Sequence, residues 1–410
     1  MSEKKLSLQS SIAWNSIGSI FYLGCQWLMT VLVVWIAGLE TAGILSLAMS
    51  VSNIWYSFAV YGMRNFQVSD TVGKYKNGTY VCSRYLTGIG AFAGCLIYTF
   101  VVGYDSYQKV CILLYFVYKL SEALFDVYAG IFQKNWRLDY VGKSLIIRGF
   151  LSIFSFVLLL ITTNNIAITF GVMALLCMIS VFTYDISKAR KLDKIVVSIE
   201  IHAVLPLMKE CFPLVVYTLL SSAIGTIPRL FMERILGSYQ LGIYGSVATP
   251  TLIIQMGATY VFNPFVTLFA EKYYNKEKDR FLSVLGKCTI AVGAIAVLGI
   301  LGGKLLGYWG LKLLYGNEVA SHSELLIPLI MCTILTAFSW LLCGVLTAIR
   351  EFKGLVIGNM AAVMISALLS FPLEKFMGMQ GASLTLALAT VAEIFILGLF
   401  LWKNIEKQFK

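Results

Sequence analysis

Charge is what this sequence has least of. Asp, Glu, Lys and Arg together make up 13% of its 410 residues, about half the share usual in a soluble chain. Histidine occurs twice, as the isolated His202 and His322, which excludes a histidine-based metal site. Proline is missing from the first half: all seven prolines lie after residue 200. No Asp-x-Asp and no His/Asp cluster at the end of an apolar run suggests catalysis. The short basic start is followed by an apolar stretch with no small-residue cleavage site, which reads as a retained span rather than a signal peptide. Nine cysteines are present, most of them inside apolar runs. They form no disulfide framework on paper and are expected as buried free thiols, with Cys82 placed on a basic loop.

Apolar residues fill the space that charge leaves. At 59% hydrophobic, the chain needs lipid as its solvent. A membrane span takes about 20 mostly apolar residues. Twelve segments meet that demand: 11–37, 41–63, 85–103, 109–131, 145–162, 165–184, 212–236, 240–262, 284–303, 323–347, 354–371 and 381–402. Basic residues test the count, because Lys and Arg gather on the cytoplasmic side. With the N-terminus inside, 25 of the 32 basic residues fall on cytoplasmic stretches, among them Lys4, Lys5, Arg64, Arg84, Arg148, Lys194 and Lys410. Four fall on outer loops (Lys109, Lys304, Lys312, Lys375) and three within spans (Lys119, Arg229, Arg234). This places both termini in the cytoplasm. The net charge of +11 then marks a cytoplasmic membrane face and not a nucleic-acid groove. Trp14, Trp35, Trp136, Trp309 and Trp402 fall near the expected interfaces.

The longest cytoplasmic connection, 185–211, divides the chain into six-span halves, 1–200 and 201–410. The halves echo each other. Ile36, Gly38, Gly43 and Ile44 after span 1 match Ile235, Gly237, Gly242 and Ile243 after span 7. An offset of six helices preserves orientation, so the halves read as parallel repeats about an axis along the membrane normal. The expected fold is an all-α integral membrane protein of about twelve helices in two six-helix lobes related by pseudo-two-fold symmetry. Pro228 in span 7 and Pro250 in span 8 are expected to bend their helices; Pro264 also lies in this half.

Four features carry a family resemblance: the six-plus-six layout, the Gly-x4-Gly-Ile turn after spans 1 and 7, the span 4–5 connection Gly130-Ile-Phe-Gln-Lys-Asn-Trp-Arg-Leu-Asp-Tyr, and the last outer turn Phe376-Met-Gly378-Met-Gln-Gly381-Ala382-Ser383. Over nearly its whole length the chain resembles the polysaccharide (Wzx-like) flippases of the multidrug/oligosaccharidyl-lipid/polysaccharide (MOP) exporter superfamily. That resemblance implies a transporter that moves an undecaprenyl-diphosphate-linked oligosaccharide across the bacterial cytoplasmic membrane by alternating access. The head group would cross in a cavity between lobes, for surface polysaccharide biosynthesis. It implies no cofactor, and partners limited to the bilayer, the lipid-linked substrate and glycan assembly or polymerase proteins around a monomer.

Ionisable groups inside spans cost about 2.5–3.5 kcal/mol on insertion scales and usually face a cavity or a partner. Span 4 carries Lys119, Glu122 and Asp126 on one helical face. Span 7 carries Arg229, Glu233 and Arg234, and span 12 carries Glu393. A diphosphate needs fixed cations, so Arg229 and Lys119 are the candidate substrate ligands. Glu122, Asp126, Glu233 and Glu393 could carry coupling protons or sodium ions. The plainer reading is a pair of intrahelical ion bridges, Lys119–Glu122 and Arg229–Glu233. Asn15, Gln26, Asn53, Gln255 and Asn359 could line a sugar path or hold helices together. A related alternative is an antiporter of small organic cations, for which cavity carboxylates without fixed cations are expected. A membrane enzyme finds little support, since the longest outer loop, 304–322, offers only Lys304, Lys312, Glu318 and His322.

Overall fold

The computed structural model describes residues 8–70, 74–193, 201–262 and 265–409. Lys4, Lys5, Lys194, Pro264 and Lys410 lie outside the described residues, as does the stretch 194–200 at the expected lobe boundary. Every regular element among the described residues is a helix.

α1 (Leu8–Val60) has 53 residues, which at 1.5 Å per residue is about 80 Å, more than twice the hydrocarbon thickness. Gly38, at φ 82° and ψ 178°, breaks it into two arms. Only glycine adopts that backbone readily, because a Cβ would crowd the adjacent peptide. α2 (Met63–Ser69), α3 (Asn77–Val102), α4 (Ser106–Lys134) and α5 (Leu138–Thr163) follow. α6 (Ile166–Ser180) runs into a π-helical turn, Val181–Asp185, and on into α7 (Ile186–Leu192).

α8 (Ile201–Leu236) ends at Gly237, whose φ of 87° and ψ of 171° reproduce Gly38. α9 (Ser238–Ala248) and α10 (Leu252–Phe262) are separated by a 3-10 turn at Thr249–Thr251. Pro250 in that turn has no N–H to continue the α-helical ladder. Pro228, by contrast, lies inside unbroken α8. α11 (Val266–Tyr274), α12 (Lys278–Tyr315), α13 (Asn317–Ala320), α14 (Leu326–Ala348), α15 (Phe352–Met377) and α16 (Met379–Phe409) complete the chain.

Among the described residues, nine helices are long and apolar enough to cross a membrane. α1 counts twice because of Gly38. α4 falls outside the nine because of its charges, and α9–α10 because Pro250 divides it. With these additions the helices account for the twelve spans. Val101, inside the expected third span, is 79% exposed, the outward apolar surface that a soluble protein avoids and a lipid-facing helix carries. The chain is a multi-pass membrane protein.

Several boundaries extend past the apolar windows. α3 starts eight residues earlier than its window and α5 seven. Arg84 and Cys82, expected on a loop, are therefore buried helix residues, and Arg148, counted with the cytoplasmic residues although inside the window 145–162, is buried as well. Most of the expected loop 304–322 is helical, because α12 reaches Tyr315. That segment has apolar residues at helical spacing and no proline to stop it.

Met1–Leu219 and Leu220–Lys410 form two compact units. The start of α8 belongs to the first: Leu207, Cys211 and Val215 share a buried cluster with Tyr61, Tyr80, Phe132 and Tyr140. Within that unit α1 and α5 touch backbone to backbone. A Cβ on Gly142 would lie 2.0 Å from the Trp14 carbonyl oxygen, and one on Gly18 2.3 Å from that of Gly142. Small residues let membrane helices approach this closely.

Candidate functional site

In the first unit α4 carries the charged face that its spacing predicts. Lys119 lies about 20 Å from either end of the helix. Its ammonium bridges to Glu122 and stands 4.8 Å over the ring of Tyr56 on α1. The Lys119 side chain is only 14% exposed, so the carboxylate and the ring replace water around it. Glu122 also accepts from the Tyr22 hydroxyl. Tyr22 lies 2.7 Å from the hydroxyl of Tyr118, which accepts from the Gln26 amide at 2.6 Å. A chain of polar groups from α1 and α4 thus surrounds Lys119.

One turn further along α4, Asp126 meets two arginines. Arg84 Nη2 lies 2.9 Å from Oδ2, and Arg64 Nη1 lies 3.4 Å from Oδ1. Arg84 has no exposed side-chain surface and donates its other Nη to the Ala59 carbonyl at 2.9 Å. Tyr56, under the Lys119 ammonium, lies within electrostatic reach of both Glu122 and Asp126.

A third buried pair joins α5 to the π turn. Arg148 reaches Asp185 at 3.3 Å and Ser121 on α4 at 3.3 Å, and Ser144 donates to Asp185 at 2.6 Å. The wider π turn shifts the register of α7 relative to α6, and such turns recur at functional sites.

In the second unit Arg229 is half-buried on α8. It makes no ion pair with Glu233, contrary to the intrahelical bridge. Glu233 accepts instead from Ser238 Oγ at 2.6 Å, across the Gly237 turn. Tyr244 on α9 lies within electrostatic reach of both Arg229 and Glu374. Glu374, on α15, is fully buried, and neither carboxyl oxygen has a hydrogen-bond partner among the described residues. Glu393 is 4% exposed and lies 3.8 Å from Cys343 Sγ.

The polar uncharged candidates scatter. Gln26 joins the Lys119 group. Asn15 and Gln255 are half-buried and Asn53 is exposed. Asn359 is fully buried and donates to the Leu355 carbonyl of its own helix at 2.9 Å. Sequence reasoning missed Arg64, Arg84, Asp185 and Glu374, because hydropathy windows end where a charge begins, and Arg148, because it was counted with the cytoplasmic residues next to its span. Tyr22, Tyr56 and Tyr118 were masked by the abundance of aromatics.

No family model matches the chain. It is 24% identical to the capsular polysaccharide biosynthesis protein CapF of Staphylococcus aureus over 318 residues, 76% of this chain and 78% of that one. Among solved structures it is similar to the lipid II flippase MurJ in its inward closed conformation, with a TM-score of 0.74 at 12% identity, covering 96% of this chain and 89% of MurJ. It is likewise similar to an inward-facing multidrug-resistance MATE transporter of the MOP superfamily, with a TM-score of 0.71 at 11% identity, covering 97% and 98% of the two chains. The chain has the fold of the MOP-superfamily transporters.

Proposed function

We propose that this chain is a flippase. It moves a lipid-linked oligosaccharide on an undecaprenyl-diphosphate carrier across the bacterial cytoplasmic membrane by alternating access, for surface polysaccharide biosynthesis, with both termini cytoplasmic. The observation that carries the reading is Lys119, a cation midway along a membrane helix and held by one carboxylate and the rings of Tyr56 and Tyr118. Such a cation is costly unless it has a task or a partner. A diphosphate can take the place of Glu122, because its oxygens offer charge-assisted hydrogen bonds that the bridge already makes. Arg229, half-buried on α8 and within electrostatic reach of Tyr244, is the second cation of the reading.

The fold shared with a lipid II flippase and the partial identity with a capsular polysaccharide protein support the same class of cargo. Glu122, Asp126, Glu233 and Glu393 are the carboxylates available to couple protons or sodium ions to transport. Glycan assembly and polymerase proteins are the expected partners.

The test is genetic. In a strain lacking the gene, the wild-type chain restores surface glycan and clears the lipid-linked precursor, whereas Lys119→Ala and Arg229→Ala leave the precursor inside. Normal export by both variants at normal protein levels would remove the anionic head group from the reading. Loss of organic-cation resistance with intact glycan would point to the antiporter.

A further inference from the structure

Asp126 is shared by two arginines that differ in how they are held. Arg84 is fully enclosed and fixed by two bonds of 2.9 Å, one to Asp126 and one to the Ala59 carbonyl. It cannot leave without becoming an unpaired buried cation. Arg64 is 32% exposed. Its contacts are longer: 3.4 Å to Asp126 and 3.2 Å to the Gln133 side chain.

The backbone explains why Arg64 stands there. α1 ends in two left-handed residues, Tyr61 at φ 53° and Gly62 at φ 62°, and this turn sets α2 against α4. Gly62 is needed for space as well as for φ, since a Cβ would come within 3.1 Å of Leu214 Cβ. The turn delivers a partly exposed guanidinium to a carboxylate already occupied by another.

We propose that Arg64 is an exchangeable anion ligand. It rests on Asp126 in the empty transporter and swings to the phosphate oxygens of the arriving cargo, while Arg84 stays to neutralise Asp126. The inference depends on the cargo head group being a diphosphate. A guanidinium suits the exchange because its planar fork fits carboxylate and phosphate oxygens alike. Asp126 is in this scheme a competitor of the cargo. Removing its charge therefore strengthens anion binding, the reverse of what a merely structural carboxylate would do.

The probe is inorganic pyrophosphate, titrated calorimetrically into the purified full-length protein in detergent. Arg64→Ala is expected to weaken binding about tenfold. Asp126→Asn is expected to tighten it by a similar factor, and the double variant to bind no more tightly than Arg64→Ala. Unchanged affinity in Arg64→Ala overturns the proposal whether or not Asp126→Asn folds. Weaker binding in folded Asp126→Asn also overturns it, since Asp126 would then be presenting Arg64 to the anion. If the wild-type chain binds no pyrophosphate, the diphosphate reading itself fails. If the wild type binds and neither variant moves the affinity, only the exchange fails.

Discussion

Arg84 and Asp126 stand 42 residues apart in sequence and 2.9 Å apart in space, with the arginine side chain wholly enclosed. Breaking a buried pair leaves one charge without solvent or partner, at about 3–5 kcal/mol. Asp126→Ala should therefore lower the thermal stability of the purified protein sharply. Arg64→Ala, which removes a partly exposed partner, should cost about 1 kcal/mol or less. Equal losses in the two variants would show that Arg84 finds other company.

Three turns share one hydrogen-bond pattern. The N–H groups of Arg137, Glu277 and Glu351 reach the carbonyls of Phe132, Lys272 and Leu346 at 2.8, 3.0 and 2.8 Å. The preceding residues, Trp136, Lys276 and Arg350, sit at φ 58°, 58° and 60°. A side chain in that region costs about 1–2 kcal/mol. Lys276→Gly and Arg350→Gly should each raise the melting temperature, and a fall in both would contradict the strain.

Gly38→Ala and Gly237→Ala should act in the opposite direction, at about 1–3 kcal/mol each. The two glycines share their backbone angles, so similar losses are expected in melting experiments. A loss at one position only would mean that the neighbouring structure gives way there.

The contact between α1 and α5 leaves no room for a side chain. Gly142→Val should reduce the folded yield, read by size-exclusion chromatography, because overpacking of this kind costs about 1–3 kcal/mol. A normal monodisperse peak would show that the helices can separate.

Glu277, in the turn before α12, gives a pH test outside the spans. Partial desolvation acts to raise its carboxyl pKa. The hydrogen bond and charge of Lys272, with Arg280, outweigh this and hold it below its ordinary value of 4.5. The folded pKa is thus the lower one, so the stabilisation is present above the unfolded pKa and lost as pH falls through the folded pKa. The stability gap between wild type and Glu277→Gln should shrink as pH drops below about 4.5. A gap that stays constant with pH would remove the charge from the account.

Apolar length and basic-residue bias were enough to read twelve spans, because lipid imposes both on the chain directly. The Lys119–Glu122 contact was legible for a similar reason: three residues along a helix is a local relation. Arg84–Asp126 and Arg148–Asp185 were not, since each joins two helices and depends on how they pack. Hydropathy even misplaced Arg84, because a buried charge looks like a helix end when its partner is out of view. Glu233 misled in the other direction. Its spacing from Arg229 suited an ion bridge, but a serine across the Gly237 turn takes the carboxylate.

All nine cysteines are free and buried. A thiol reagent therefore meets no native target on the surface of this conformation. The natural chain can serve as its own background for site-directed labelling: a single cysteine introduced at an exposed residue such as Trp35 or Asn53 would be the one accessible thiol. Accessibility or distance measurements during turnover would then need no prior removal of sulfur from the core.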